Sequence, residues 1–210
     1  MQFEHYLFDM DGTLFDTSEG VINSLVFCLR KYGIEHERQY FRRFIGPPLL
    51  WSFSAFCGFD DETARSAMRF YREHYAEHGI FECAPYDGVP DLLRGLKAAG
   101  KSLYVATSKP QPFAERILEH FDLARYFAKV CGSDMDERRS DKALIIADAL
   151  SGIDKSRALM VGDRHYDIAG AKANGIRSCG VCFGFGSREE LEEAGADFIV
   201  QRAEEIAALA

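Results

Sequence analysis

The string Tyr6-Leu7-Phe8-Asp9-Met10-Asp11-Gly12-Thr13-Leu14-Phe15-Asp16 constrains this chain more than any other feature. An apolar run enters a cluster of acids and Gly12 follows at once, so the string reads as a buried strand ending in a tight turn. Residues two apart on a strand project to the same side. Asp9 and Asp11 therefore point into one small space if extended geometry persists that far. Two carboxylates there repel. A hard cation such as Mg2+ between them, or a proton kept on one of them for acid catalysis, makes the arrangement tolerable. Both solutions suit phosphoryl transfer with a carboxylate nucleophile. Gly12 and Thr13 would offer backbone N–H groups to phosphate oxygens with no side chain in the way.

The rest of the chain has two grammars. Over residues 16–83 the pattern is helical: Val21, Ile22, Leu25, Leu29 and Tyr32 recur at helical spacing until Gly33. A second helical segment over 37–45 stops at Gly46-Pro47-Pro48, and a third covers 49–56. A fourth, capped by Asp60 or Asp61, aligns Ala64, Met68, Tyr71 and Tyr75 before Gly79. This predicts an inserted all-α domain at 16–83. From Pro85 onward helices and strands alternate, with helices over 89–96, 112–120, 141–150 and 167–174 and strands over 102–106, 128–131, 158–161, 178–182 and 197–200. The fold class is then α/β: a Rossmann-like core over 1–15 and 84–210, its parallel sheet flanked by helices, binding ligands beyond the carboxyl ends of the strands.

Two of those strand ends and one helix start carry polar chemistry. Thr107 and Ser108 close the second strand just before a helix, where hydroxyl and N–H groups can take phosphate oxygens. Lys142 opens a helix, a position unfavourable for a cation by a few tenths of a kcal/mol, roughly, and so asks for an anionic partner. Asp141 and a substrate phosphate are both candidates. Lys109 is the rival lysine, read as a rim residue or substrate contact. Asp163 follows the strand Leu159-Met160-Val161-Gly162 as a hard-metal ligand, and Asp167, four residues on, would hold a ligating water or orient Lys142.

An Asp pair, a hydroxyl, a lysine and a second acid pair, in that order along essentially the whole chain, resemble the four motifs of the haloacid dehalogenase (HAD) superfamily. The helical block resembles its C1 cap. The string from Val161 to Ile176 is similar to the phosphoglycolate phosphatase-like branch, which also holds 5'-nucleotidases and pyrophosphatases. The resemblance implies a Mg2+-dependent phosphomonoester hydrolase working through an aspartyl phosphate. Asp9 would be the nucleophile and Asp11 the general acid and base. Gly12, Thr107, Ser108 and Lys142 would face phosphate, and Asp9, Asp163, the Asp11 carbonyl and Asp167 would surround the metal. Dehalogenases of the superfamily lack the second Asp, so Asp11 points to phosphorus. Gly46 matches the family's cap loop, and Arg42 and Lys109 are candidate substrate contacts. Phe41, Phe44, Trp51, Phe53, Phe56 and Phe59 around that loop read as packing of the helical insert, or as stacking partners for a nucleobase. A phosphosugar mutase of the same superfamily, or a noncatalytic binding protein on the same fold, are the competing readings.

Composition narrows the partners. A net charge of -8 and a pI near 5.3 argue against a nucleic-acid polymer or an anionic membrane surface. A small phosphorylated metabolite remains, since a local metal and lysine can outweigh the global field. No apolar run approaches the ~20 residues of a membrane span and no signal peptide is evident, so the expectation is a cytoplasmic protein, monomer or homodimer. The six cysteines sit mostly in apolar segments as reduced core thiols. Cys179 and Cys182, three apart in a strand, would face opposite sides and argue against a metal or redox pair.

Overall fold

The computed structural model describes residues 3–136 and 138–209; the expected domain limits at residues 1 and 210 lie outside the described residues. The chain divides into two compact units. Met1–Asp16 and Pro85–Ala210 form the first, and Thr17–Ala84 the second.

In chain order the elements are β1 (His5–Phe8), β2 (Phe15–Asp16), α1 (Ser18–Arg30), α2 (Leu49–Cys57), α3 (Asp61–Glu77), β3 (Ala84–Pro85), α4 (Val89–Ala98), β4 (Ser102–Pro110), α5 (Gln111–His120), β5 (Phe127–Ser133), α6 (Lys142–Ala149), β6 (Ala158–Gly162), α7 (His165–Asn174), β7 (Arg177–Val181), α8 (Arg188–Ala194), β8 (Phe198–Val200) and α9 (Glu204–Ala207). The first unit is built on a six-stranded sheet in the order β5-β4-β1-β6-β7-β8, with every pairing parallel. The chain leaves central β1 toward β4 on one side and later adds β6 on the other. This places the topological switch, where such sheets bind ligands, at β1.

Burial explains why β1 reads as an unbroken apolar run: Tyr6, Leu7 and Phe8 are sealed on both faces. On one face Leu7, Tyr104, Ala106 and Met160 pack against Ile145, Ile146 and Ala149 of α6 and Ala171 of α7. Each buried Leu, Ile or Met among them contributes about 1.5–3 kcal/mol of transfer free energy. This packing clamps α6 and α7 onto the strands whose ends hold the acids. Register does the rest. Phe8 pairs with Val105 on one side and Val161 on the other, so the end of β1 lies level with the end of β6 and with the middle of β4, which runs on to Pro110.

The second unit differs from expectation in one element. Residues 37–45, read as an ordinary helical segment, form a 3-10 helix at Arg38–Phe44 whose buried residues, Phe41 and Phe44, are three apart and so share one edge. Asp60 caps α3 by accepting from Thr63 N at 2.8 Å. Phe41, Phe44 and Phe53 are core residues, with Phe44 in edge contact with Phe53 and Phe56, so the packing reading holds for them. Trp51 is the exception, 53% exposed. Arg42 is on the surface of this unit and Gly46 sits at φ 104°.

Elements of the first unit differ as well. β4 runs four residues past the expected 106, and α8 was not anticipated, although Ser187 at its N-cap and Gly195 at its end are ordinary helix punctuation. All six cysteines are free thiols, and burial pushes Cys179 up to about 12, in keeping with a core residue.

Candidate active site

The centre of the site is a lysine shared by two carboxylates. Lys142 Nζ lies 2.8 Å from Asp9 Oδ1 and 2.9 Å from Asp167 Oδ1, and donates to Ala106 O at 3.1 Å. Its position follows from local structure: Asp141 caps α6 by accepting from Leu144 N at 3.1 Å, which makes Lys142 the first helical residue. Gly170 lets α7 come close, since a Cβ there would stand 3.1 Å from Lys142 Cγ. The anionic partner that a lysine at a helix start demands is thus a pair of carboxylates.

Asp163, at the end of β6, is fully buried. Thr13 Oγ1 donates to its Oδ1 at 3.2 Å and Phe185 N to its Oδ2 at 2.8 Å. Asp167 Oδ2 accepts from Arg164 N at 3.1 Å, closing the turn into α7. Oxygens of Asp9, Asp163 and Asp167 all lie within 4.8 Å of one another. Asp11 stands apart, with Lys109 Nζ 3.1 Å from its Oδ1 and 3.0 Å from its Oδ2.

These four carboxylates and two lysines carry an excess of two negative charges when all are ionised, which is the charge of one divalent cation. Burial, then repulsion from Asp167 and Asp9, pushes the Asp163 carboxyl up to about 8 against the opposing Phe185 N–H. Burial pushes Asp167 to about 6 although Lys142 pulls the other way. Burial on its own would lower Lys142, but Asp167 and Asp9 outweigh it and raise the ammonium. Oxygen donors of this kind, clustered and short of positive charge, suit a hard cation. The residues present fit a divalent metal.

A pH dependence follows. Both carboxyls hold protons to a higher pH folded than unfolded, so the stability they contribute in metal-free protein is full below about pH 4 and is lost as pH rises through about 6 and then about 8. A cation that replaces those protons removes the loss. Melting curves in EDTA and in Mg2+ are expected to separate progressively from about pH 5 to about pH 8. Curves that stay parallel over that range would contradict metal binding by this cluster.

Several residues stand elsewhere than the sequence implied. Gly12 N–H donates to Phe15 O at 2.9 Å and Thr13 N–H to Met10 O at 3.3 Å, so the turn itself uses the donors read as phosphate ligands. Gly12 is required for another reason: it sits at φ +83°, and a Cβ would lie 2.2 Å from Asp163 Oδ2. Ser108 turns away from Thr107, its hydroxyl donating to Ser140 O at 3.1 Å. β4 continues to Pro110, but its register against β5 slips between Ala106 and Pro110, and this irregular segment sends Lys109 to Asp11 and Ser108 the other way. For the same reason Lys109 is no rim residue; it is 8% exposed and grips Asp11. Thr107, 1% exposed, accepts from Lys109 N at 3.2 Å. Phe185 was missed altogether. Its loop reaches Asp163 because Gly184 and Gly186 permit backbone contact, where a Cβ would stand 2.1 Å from Gly12 O and 1.9 Å from Asp163 O respectively.

Residues 6–181 match the model of the haloacid dehalogenase-like hydrolases. A 5'-nucleotidase from Pseudomonas aeruginosa is 42% identical over 194 residues, covering 91% of this chain and 88% of the relative. Tyrosine-protein kinase PtkA of Mycobacterium tuberculosis is 34% identical over 94% of this chain and 68% of its own length. Phosphoglycolate phosphatase 1 of Pseudomonas aeruginosa is 29% identical over 92% and 75%. A crystal structure described as a predicted phosphatase from Clostridium acetobutylicum superposes with a TM-score of 0.95 at 43% identity, covering 99% of this chain and 98% of that one. The acids at the ends of β1 and β6, the lysine between them and these matches agree: the chain belongs to the haloacid dehalogenase-like hydrolase family, in its phosphatase branch.

Proposed function

We propose that this chain is a Mg2+-dependent hydrolase of a small phosphomonoester, with Asp9 as nucleophile and Asp11 as general acid and base. The observation that carries the reading is the pair of lysine contacts, Lys142 on Asp9 and Lys109 on Asp11, which gives two adjacent acids different partners. Asp9, the Asp11 carbonyl and Asp163 would hold Mg2+, with Asp167 in or beside that set. When bound, the cation lowers the repulsion between an anionic carboxylate and an anionic phosphate and stabilises transition-state charge.

The chain's own groups do the remainder. Lys142 holds Asp9 in place and offers positive charge to phosphoryl oxygens, and the Thr107 hydroxyl would donate a hydrogen bond to them. Asp9 attacks phosphorus and becomes an aspartyl phosphate while Asp11 protonates the leaving alcohol. Asp11 then takes a proton from water, which attacks the acyl phosphate and releases phosphate. The helical unit, with Gly46, Arg42 and the exposed Trp51, would act as the cap that selects the substrate. The 5'-nucleotidase relative makes nucleoside monophosphates the first class to try, ahead of phosphoglycolate. Free thiols and the absence, among the described residues, of a helix able to cross a membrane are compatible with a cytoplasmic protein.

The test is phosphate release from a panel of nucleoside monophosphates, sugar phosphates and phosphoglycolate, with Mg2+ and with EDTA. Magnesium-dependent release from one class is expected. An isomeric sugar phosphate in place of free phosphate would make the chain a mutase, and phosphate moved onto a tyrosine peptide would make it a transferase. No reaction with any substrate would favour a binding protein.

A further inference from the structure

Glu190 belongs to none of the four motifs, yet it is tied to the residues that follow Asp163. Its Oε1 accepts from Arg164 Nε at 2.8 Å, from His165 N at 2.9 Å and from His165 Nδ1 at 2.7 Å. The last contact requires the proton on Nδ1, because an ionised carboxylate can only accept. One oxygen thus gathers three donors from two consecutive residues.

Those residues are the turn between two acids of the candidate metal centre. Arg164 is held by both groups: its main-chain N–H goes to Asp167 Oδ2 and its side chain to Glu190. Glu190 is anchored in turn, its own N–H donating to the cap oxygen of Ser187 at 3.1 Å. On the other side of the turn, Gly186 leaves no room beside Asp163 O, and Phe185 N–H holds Asp163 Oδ2. The loop and α8 together brace the segment from Asp163 to Asp167. Helix α8 also carries an ordinary i,i+4 pair, Arg188 with Glu192 at 2.8 Å, whose side chains are half exposed. Such pairs contribute little. The Arg164–Glu190 contact is charge-assisted and its side chains are 20% and 25% exposed, which makes it the stronger restraint.

We infer that Glu190 is a positioning residue for the metal centre, holding Asp163 and Asp167 at the spacing a divalent cation needs. The inference rests on the metal-dependent reading above. It concerns a residue 27 positions beyond Asp163 in the chain, on a helix that contributes no ligand. Groups that orient metal ligands typically change affinity about 10–100-fold when removed.

The experiment titrates metal-free full-length protein with Mn2+ as probe, following free ion by electron paramagnetic resonance, and repeats the titration with Mg2+ by calorimetry. Glu190→Ala, Glu190→Gln and Glu192→Ala are compared with wild type. Glu190→Ala is expected to weaken binding about tenfold or more, with kcat largely regained at high Mg2+. Glu190→Gln, which keeps an oxygen acceptor and the fold, is expected to fall between Glu190→Ala and wild type, and Glu192→Ala to bind as wild type. If wild type takes up metal and both Glu190 variants match it, or if Glu192→Ala weakens binding equally, the positioning role falls and the metal-dependent reading stands. If wild type takes up no metal, that reading falls and the positioning role with it.

Discussion

Asp9→Asn is expected to lower kcat for phosphate release by about 10^4-fold or more, the scale of removing a nucleophile from an assembled site. The carboxamide nitrogen does not attack phosphorus, while the retained oxygen still accepts from Lys142, so the change acts on chemistry and spares the geometry. It also removes one of the repelling charges that raise Asp163 and Asp167. In EDTA near pH 8 the variant should therefore melt no lower than wild type. Measured at saturating Mg2+, activity within tenfold of wild type would remove Asp9 from the nucleophile's role. A large activity loss accompanied by a large fall in melting temperature would make the effect structural.

Lys142→Met is expected to be the most destabilising single change in the site. The ammonium serves Asp9 and Asp167 together, and its loss leaves two buried carboxylates without a cation. Breaking a buried pair in this way costs about 3–5 kcal/mol. The sign of its pH dependence separates charge from packing. Without the lysine, which pulls it down, the folded-state value of Asp167 moves further above its unfolded one, so the penalty is small near pH 4 and grows as pH rises toward 8. Urea unfolding in EDTA at the two ends of that range measures it. Equal losses at both would mean that the four-carbon stem packed in the core, and not the charge, was what mattered.

Much of this was legible before any coordinates. A parallel strand sealed on both faces reads as an uninterrupted apolar run, and the acid that ends it is visible because charge cannot continue into the core. That logic located Asp9 after β1 and Asp163 after β6. It failed at β4, where Thr107-Ser108-Lys109-Pro110 looks like a turn. The strand continues there to Pro110 with a slip in register against β5, and that irregular segment sends Lys109 to Asp11 and Ser108 away. It failed again at Gly12, whose N–H the chain spends on closing its own turn.

Local order along the chain determined which residues bear chemistry: period, punctuation and charge at strand ends are properties of neighbours in sequence. Which of those residues meet was decided by the parallel register of β1 with β4 and β6, and by the packing of α6 and α7 over them. Lys142 finds Asp9 across 133 positions, and Phe185 and Glu190 brace Asp163 and the residues after it from 22 or more positions further along the chain. Contacts of that span depend on where whole elements come to rest, and no window of the sequence contains both partners.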